Sequence, residues 1–302
     1  MHLERWIIYQ KERFPLLKNG LLISVFSSSG VIYSALLTQE KPQFLSIIIA
    51  FVTTFCFFLL MRIADEFKDY EDDLKYRPYR PVPQGLVTLK ELGYLGFFCL
   101  IIQLGATLFL APSLTLLLLG IWLYFGLMCR EFFNKTWLKQ HPLIYLSSHI
   151  VIVPLINLYG TACDWWVNDR VFSSNLIWFL VASLGGGLLI EIGRKIRSPD
   201  QEELGVETYT FLWGKTIAIL VWLGCLILTI IPALIASFLI GFNQTFIILS
   251  LGLLLIASWS SYQFWQQPTP ETAKPIEAVS ALAVLITYLS LGILPYFIQS
   301  LL

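Results

Sequence analysis

Residues 42–73 read PQFLSIIIAFVTTFCFFLLMRIADEFKDYEDD. The first twenty of them, 42–61, hold no Asp, Glu, Lys or Arg. A membrane-crossing helix needs about 20 consecutive, mostly apolar residues. Six of the last nine, 65–73, are carboxylates. An apolar run that ends abruptly in charge reads as a helix leaving a bilayer, and the rest of the chain repeats the pattern. Charge-free runs cover 19–39, 42–61, 92–129, 140–163, 171–190, 216–270 and 278–302. Two are double length, and turn-forming residues interrupt them at Ala111-Pro112-Ser113 and near Gly241-Phe242-Asn243-Gln244. The expectation is an all-α membrane protein of nine transmembrane helices, forming one polytopic domain over 1–302. Its spans fall near 19–39, 42–63, 92–110, 114–129, 143–160, 174–192, 216–236, 245–264 and 277–300.

Composition agrees. Of 302 residues 57% are hydrophobic and 13% charged, against about a quarter charged in soluble domains. A soluble enzyme, a disordered chain and a nucleic-acid binder are excluded. Twenty basic residues balance twenty acidic ones, so net charge names no partner. Five scattered cysteines without a CxxC and three histidines give no support for a zinc site or a disulfide framework.

Cytoplasmic loops are enriched in Lys and Arg. With the N-terminus inside, residues 1–18, 62–91, 130–142, 191–215 and Lys274 place eighteen basic residues on that side, leaving Lys41 and Arg170 outside. The polar loops after helices 2 and 6 are then cytosolic and the C-terminus is outside. Residues 1–15 mix Trp6, Ile7, Ile8 and Phe14 with five charges and read as an interfacial amphipathic helix. A cleaved signal peptide is disfavoured, because the first span is long and no small-x-small site follows it. Each of the two polar loops, 62–91 and 191–215, precedes a double-length run, a hydropathy echo of the kind duplicated membrane folds show.

In DEFKDYEDD, Asp65, Asp69 and Asp73 are four residues apart and share one face of a continuing helix, drifting about 40° per step. Glu66 and Asp72 flank that face. Crowded carboxylates repel unless a cation neutralises them, and Mg²⁺ takes one or two carboxylates plus waters and substrate phosphates. An EF-hand is excluded, since alternate-residue ligands and the sixth-position Gly are missing. The same stretch also reads as a solvated acidic loop in which Lys68 and Lys75 make ordinary helix pairs. Next comes YRPYRPVPQGLVT, 76–88, whose prolines stiffen the connector that carries Arg77 and Arg80. Arginine beside carboxylates and a metal is suited to gripping phosphate bidentately.

DEFKDYEDD followed by YRPYRPVPQGLVT resembles the first aspartate-rich motif of UbiA-type intramembrane prenyltransferases, Asn-Asp-x-x-Asp-x-x-x-Asp and then Arg-Pro…Gly. Asp65 stands at the Asn, Glu66, Asp69 and Asp73 at the Asp positions, and Arg80, Pro81 and Gly85 at the Arg-Pro…Gly. Nine helices with two cytosolic polar loops is also that family's architecture. The second loop departs from the pattern. EIGRKIRSPDQEELGVETYTFLWGK, 191–215, keeps Gly205 and Thr208 of a Gly-x-x-Thr, but the expected aspartates fall on Arg197 and Gln201. Arg194, Lys195 and Arg197 have joined Glu191, Asp200, Glu202, Glu203 and Glu207. We read these cations either as taking over part of a second metal's role or as an ordinary Glu191–Lys195 pair with positive-inside charge.

The resemblance implies Mg²⁺-dependent transfer of an isoprenoid chain from a prenyl diphosphate to a lipophilic, usually aromatic acceptor, through an allylic cation in a lipid-accessible cavity. It implies Asp65, Asp69 and Asp73 as catalytic. The candidate metal ligands are those three with Glu66, Glu191 and Asp200, and the candidate diphosphate binders are Arg77, Arg80, Arg194, Lys195 and Arg197. Substrates and the bilayer are the partners expected, with no nucleic acid and no obligate protein. The rivals are a membrane terpene cyclase on the same fold and a non-enzymatic carrier. A third loop, 129–142, adds Arg130, Glu131, Asn134, Lys135 and Lys139, which read first as positive-inside charge. His149, Asn157 and Gln103 lie inside apolar runs, where polar groups face the bundle interior. For His149 a helix-packing hydrogen bond is weighed against contact with an acceptor hydroxyl.

Overall fold

A computed structural model of the chain describes residues 2–203 and 205–301. Among the described residues it forms fourteen α-helices and no strand. They are α1 (His2–Arg13), α2 (Leu16–Leu37), α3 (Phe44–Lys68), α4 (Tyr70–Tyr76), α5 (Leu89–Leu110), α6 (Thr115–Cys129) and α7 (Lys135–Gln140). Then follow α8 (Pro142–Ile150), α9 (Ile152–Trp165), α10 (Leu176–Gly193), α11 (Tyr209–Leu239), α12 (Asn243–Gln266), α13 (Pro270–Tyr288) and α14 (Leu294–Leu301). Nine helical stretches among the described residues are long and apolar enough to cross a membrane. Large side chains such as Leu17, Leu116 and Leu255 stay exposed on their outer faces. In water these would be a liability; in lipid they are the ordinary outer surface.

Local chemistry sets the helix ends. Thr88 caps α5 by accepting from the Glu91 N–H, and the Glu91 carboxylate accepts from Thr88 N in return, a reciprocal capping box. Thr208 caps α11 from one side only, its hydroxyl accepting from Phe211 N. The first double-length run turns at extended Ala111 ahead of Pro112, and the second turns at Gly241, whose φ of +71° suits only glycine without strain.

Two spans are not single straight helices. The fifth, expected as one run over 143–160, is divided at Val151 into α8 and α9. Pro154 has no N–H to offer the carbonyl four residues back and crowds it. In the last span Leu289–Ile293 form a π turn between α13 and α14, just ahead of Pro295, where one extra residue relieves the same conflict.

Small residues bring the helices together. A Cβ on Gly185 of α10 would lie 2.8 Å from the Leu228 backbone of α11, so the close approach of these two helices depends on that glycine. Around this seam Tyr33, Phe57, Tyr159, Phe179 and Trp222 are fully buried. Two polar residues at depth bridge neighbouring helices. Gln103 donates to the Thr53 carbonyl and accepts from Trp122 Nε1, and Asn157 donates to Ser183 and Tyr288.

The helices that matter for the site run past the apolar core. α3 continues helical through Lys68, so Asp65, Glu66 and Lys68 form its last turn. Backbone bonds from Asp69 N to Asp65 O, Asp73 N to Asp69 O and Arg77 N to Asp73 O carry the four-residue register on through α4. α1 lies against this end. Tyr9 packs on Ile63, Val82, Val87 and Leu92, while Leu3, Ile7 and Ile8 remain exposed.

Candidate active site

The ends of α3, α6, α8 and α10, the start of α11, and the short helices α4 and α7 enclose a cavity of about 770 Å³. Its deep wall is apolar, with Met61, Met128, Ile150 and Val153. Its mouth is charged. Asp65, Asp69, Asp72 and Asp73 line one side and Arg194, Lys195 and Arg197 another, with Arg77 and Arg80 beside Asp73.

The first-loop carboxylates differ in what they already hold. Asp65 is half exposed, and its nearest cation is Arg62 at 3.8 Å. Asp69 makes no ion pair among the described residues. Burial, and then the neighbouring Asp65 carboxylate, push its carboxyl above the usual range, more than Lys68 and Arg77 draw it down. Asp73 is buried and already satisfied: Arg80 donates to both its oxygens at 2.7 and 2.9 Å, and Arg77 to one at 3.2 Å. Two expected diphosphate binders therefore grip an expected metal ligand. Glu66 faces away from the cavity; it is buried and accepts from Arg13 Nε at 2.5 Å. One residue along a helix is a rotation of about 100°, which turns Glu66 off the face of Asp65 and Asp69.

The second loop is built the other way. Arg194 reaches Glu191 at 2.5 and 2.7 Å, and Lys195 reaches its other oxygen at 3.0 Å. Burial works against the charge on Arg194, but Glu191 and Asp65 outweigh it and hold the guanidinium firmly protonated. Asp200 is exposed and does not line the cavity. Glu202 accepts from Thr208 and Thr210 beside the start of α11. Among the described residues no three His, Cys, Asp or Glu side chains gather as a ready metal site.

The two loops touch. Gly205 has a φ of +79°, and a Cβ there would lie 2.7 Å from the Tyr76 ring, so both backbone and space require glycine. Arg77 Nε approaches Glu203 at 3.8 Å. Tyr209 N–H donates to the Lys195 carbonyl, tying the cation turn to α11.

The third loop contributes more than positive charge. Glu131 is buried and pairs with Lys68 at 2.5 Å. Lys68 also donates to the Tyr145 hydroxyl and lies 4.6 Å from the centre of its ring. His149 stacks on Tyr145 with centroids 4.0 Å apart. The Lys139 side chain lies outside the described residues. Sequence reasoning passed over Tyr145 and gave Lys68 only a local role; the four-residue spacing of Tyr145 and His149 on one apolar run was the available signal.

Comparison with known proteins gives the family. Residues 22–278 match the UbiA prenyltransferase family. No curated protein matches the chain by sequence. Among solved structures, the apo structure of a UbiA homolog from Aeropyrum pernix K1 superposes with a TM-score of 0.68 at 13% identity, covering 92% of this chain and 98% of that one. A structure that gives insight into digeranylgeranylglyceryl phosphate synthase in membranes superposes with a TM-score of 0.64 at 18% identity, covering 95% and 97%. These likenesses are of fold. With the match extending over most of the chain, the nine-span architecture and the carboxylate-lined cavity at its helix ends belong to a member of the UbiA prenyltransferase family.

Proposed function

We propose that the chain transfers an isoprenoid group from a prenyl diphosphate to a lipophilic, aromatic acceptor, with Mg²⁺. The observation that carries this reading is the pair Asp65 and Asp69, short of cations, facing a cavity whose other side presents Arg194, Lys195 and Arg197. Two carboxylates are too few for an all-protein metal cage. They do fit Mg²⁺, which takes one or two carboxylates and completes its shell with water and phosphate oxygens. Glu66, Asp73 and Glu191 are occupied by arginine or lysine, and Asp200 is remote from the cavity. The metal is thus assigned to Asp65 and Asp69, and held jointly with substrate.

The chemistry that Mg²⁺ supplies there is Lewis acidity at the diphosphate oxygens. The chain does the rest. Arg194, Lys195 and Arg197 offer fixed positive charge to the leaving group, where the identity of the charge matters less than its position. Arg77 and Arg80 sit at the same mouth. The apolar wall of Met61, Met128, Ile150 and Val153 receives the start of the chain and excludes water from an allylic cation. The charged ends of the helices are assigned to the cytosolic side of the plasma membrane or an equivalent internal membrane, since eighteen of twenty basic residues then lie inside.

The test is pyrophosphate release by purified protein with geranyl, farnesyl and geranylgeranyl diphosphates, with and without Mg²⁺ and a panel of aromatic acceptors. Metal-dependent release that requires an acceptor is the expected result. Release without any acceptor, giving a cyclised product, replaces transfer by cyclisation. Tight binding without release makes the protein a carrier.

A further inference from the structure

Next to the cavity, the turn after α10 and the facing ends of α11 and α12 enclose a second, open groove of about 360 Å³. Two cations line it, Arg197 from the turn and Lys215 from α11. Neither makes an ion pair among the described residues. The Arg197 backbone N–H donates to Thr210 Oγ1 at 3.0 Å, which ties the turn to α11. Lys215 follows the helical break at Gly214. Its Nζ donates to the Trp265 carbonyl at 2.8 Å and lies 6.0 Å from the centre of that ring. An ammonium has three donors, so two remain. The carboxylate in the lining, Glu202, is already met by the Thr208 and Thr210 hydroxyls. Two cations facing one carboxylate leave a single surplus positive charge.

The groove lies at headgroup depth. The span of α11 begins at Tyr209 and that of α12 ends at Gln266, so Lys215 and Trp265 both stand near the membrane ends of their helices. Trp259, Tyr262 and Trp265 are exposed along the end of α12, and Trp and Tyr gather at the membrane–water interface. Phe211 is exposed in the groove, and Leu220, deeper on α11, is exposed as well.

We infer that this groove binds an anionic phospholipid whose headgroup carries no cation of its own. Lys215 and Arg197 take the phosphate oxygens, and the acyl chains follow the exposed apolar faces of α11 and α12 into the bilayer. A phosphodiester carries one negative charge, which the surplus positive charge of the groove matches. A zwitterionic headgroup would bring its ammonium back against the same two cations. Basic pockets between membrane helices suit such headgroups. The inference does not depend on the transferase reading. Arg197 lines the cavity as well, whereas Lys215 lines the groove and not the cavity, so Lys215 is the residue that separates lipid binding from the proposed diphosphate binding.

The test is native mass spectrometry of the full chain, purified in detergent and titrated with phosphatidylglycerol or with phosphatidylcholine of the same acyl chains. Wild type is expected to bind phosphatidylglycerol about 5-fold or more tightly than phosphatidylcholine, the effect of one lysine at an anionic lipid surface. Lys215→Gln should bring the two within about 2-fold, and Lys215→Arg should keep the preference. Lys90→Gln, which removes an exposed charge at the start of α5, should keep it too. Matching thermal unfolding of the variants shows that they fold. Equal binding of the two lipids by wild type overturns the inference, as does a preference that survives Lys215→Gln or is lost in Lys90→Gln. Inorganic phosphate at millimolar concentration should leave phosphatidylglycerol bound; displacement would make this a site for free phosphate and overturn the lipid assignment.

Discussion

The two polar loops at the cavity mouth use the same kinds of side chain in opposite ways. In the first, Asp65 and Asp69 face the cavity short of positive charge, and the arginines are spent on Asp73 behind them. In the second, Glu191 is enclosed by Arg194 and Lys195, so that turn presents cations. Under the proposed function, one loop takes a positive ion and the other substitutes for one. A diphosphate placed between them would then meet a mobile cation on one side and covalently attached cations on the other. Net charge at the mouth can thus be supplied by two different means in one site, which the zero net charge of the whole chain conceals.

The contrast can be broken most severely at Asp69. Asp69→Ala is expected to remove Mg²⁺-dependent pyrophosphate release, a loss of about 10³-fold or more, since metal assistance supplies several kcal/mol. Unchanged gel-filtration and circular-dichroism profiles should accompany it, and full activity would end the metal assignment. Next is Lys195→Ala, expected to lower kcat about 10²-fold, comparable with removing one donor to developing negative charge. Its effect on unfolding free energy should stay within about 1 kcal/mol, the usual ceiling for a solvent-accessible ion pair. Wild-type turnover in Lys195→Ala would reduce the second loop to positive-inside charge. Gly205→Ala tests whether the loops must interlock: a left-handed alanine costs about 1–3 kcal/mol, read by thermal unfolding. Pairing it with Tyr76→Ala should recover the part due to the ring contact and not the part due to φ. The smallest effect belongs to Asp200→Asn, expected within about 2-fold of wild type in every assay, because the residue is exposed and away from the cavity. A large loss there would restore a metal role to the second loop.

The nine-span fold was legible because bilayer insertion leaves a coarse signature. Runs of some twenty residues without charge, with Pro112 and Gly241 as punctuation, need no knowledge of packing. The division at Val151 was less visible, because Pro154 can bend a span or merely be tolerated in it. Within the site, spacing alone put Asp65 and Asp69 on one face and could have set Glu66 aside, since helical rotation is local arithmetic. It could not tell that Asp73 would be enclosed by Arg77 and Arg80, which depends on how the proline-rich turn folds back. Nor could it join Lys68 to Tyr145, 77 residues apart, or bring Glu131 to Lys68. Such pairs are made by helix packing, and single-sequence periodicity carries no trace of it.

The grip of Arg77 and Arg80 on Asp73 has a consequence for anion binding. Any anion those arginines take must be taken in exchange for a carboxylate already in place, and when the anion departs the carboxylate closes on them again. Binding is therefore a swap of partners, and the affinity it yields is a difference between two similar interactions rather than the full strength of either. Under the proposed transfer, the site would give up tightness toward its leaving group and release it the more readily.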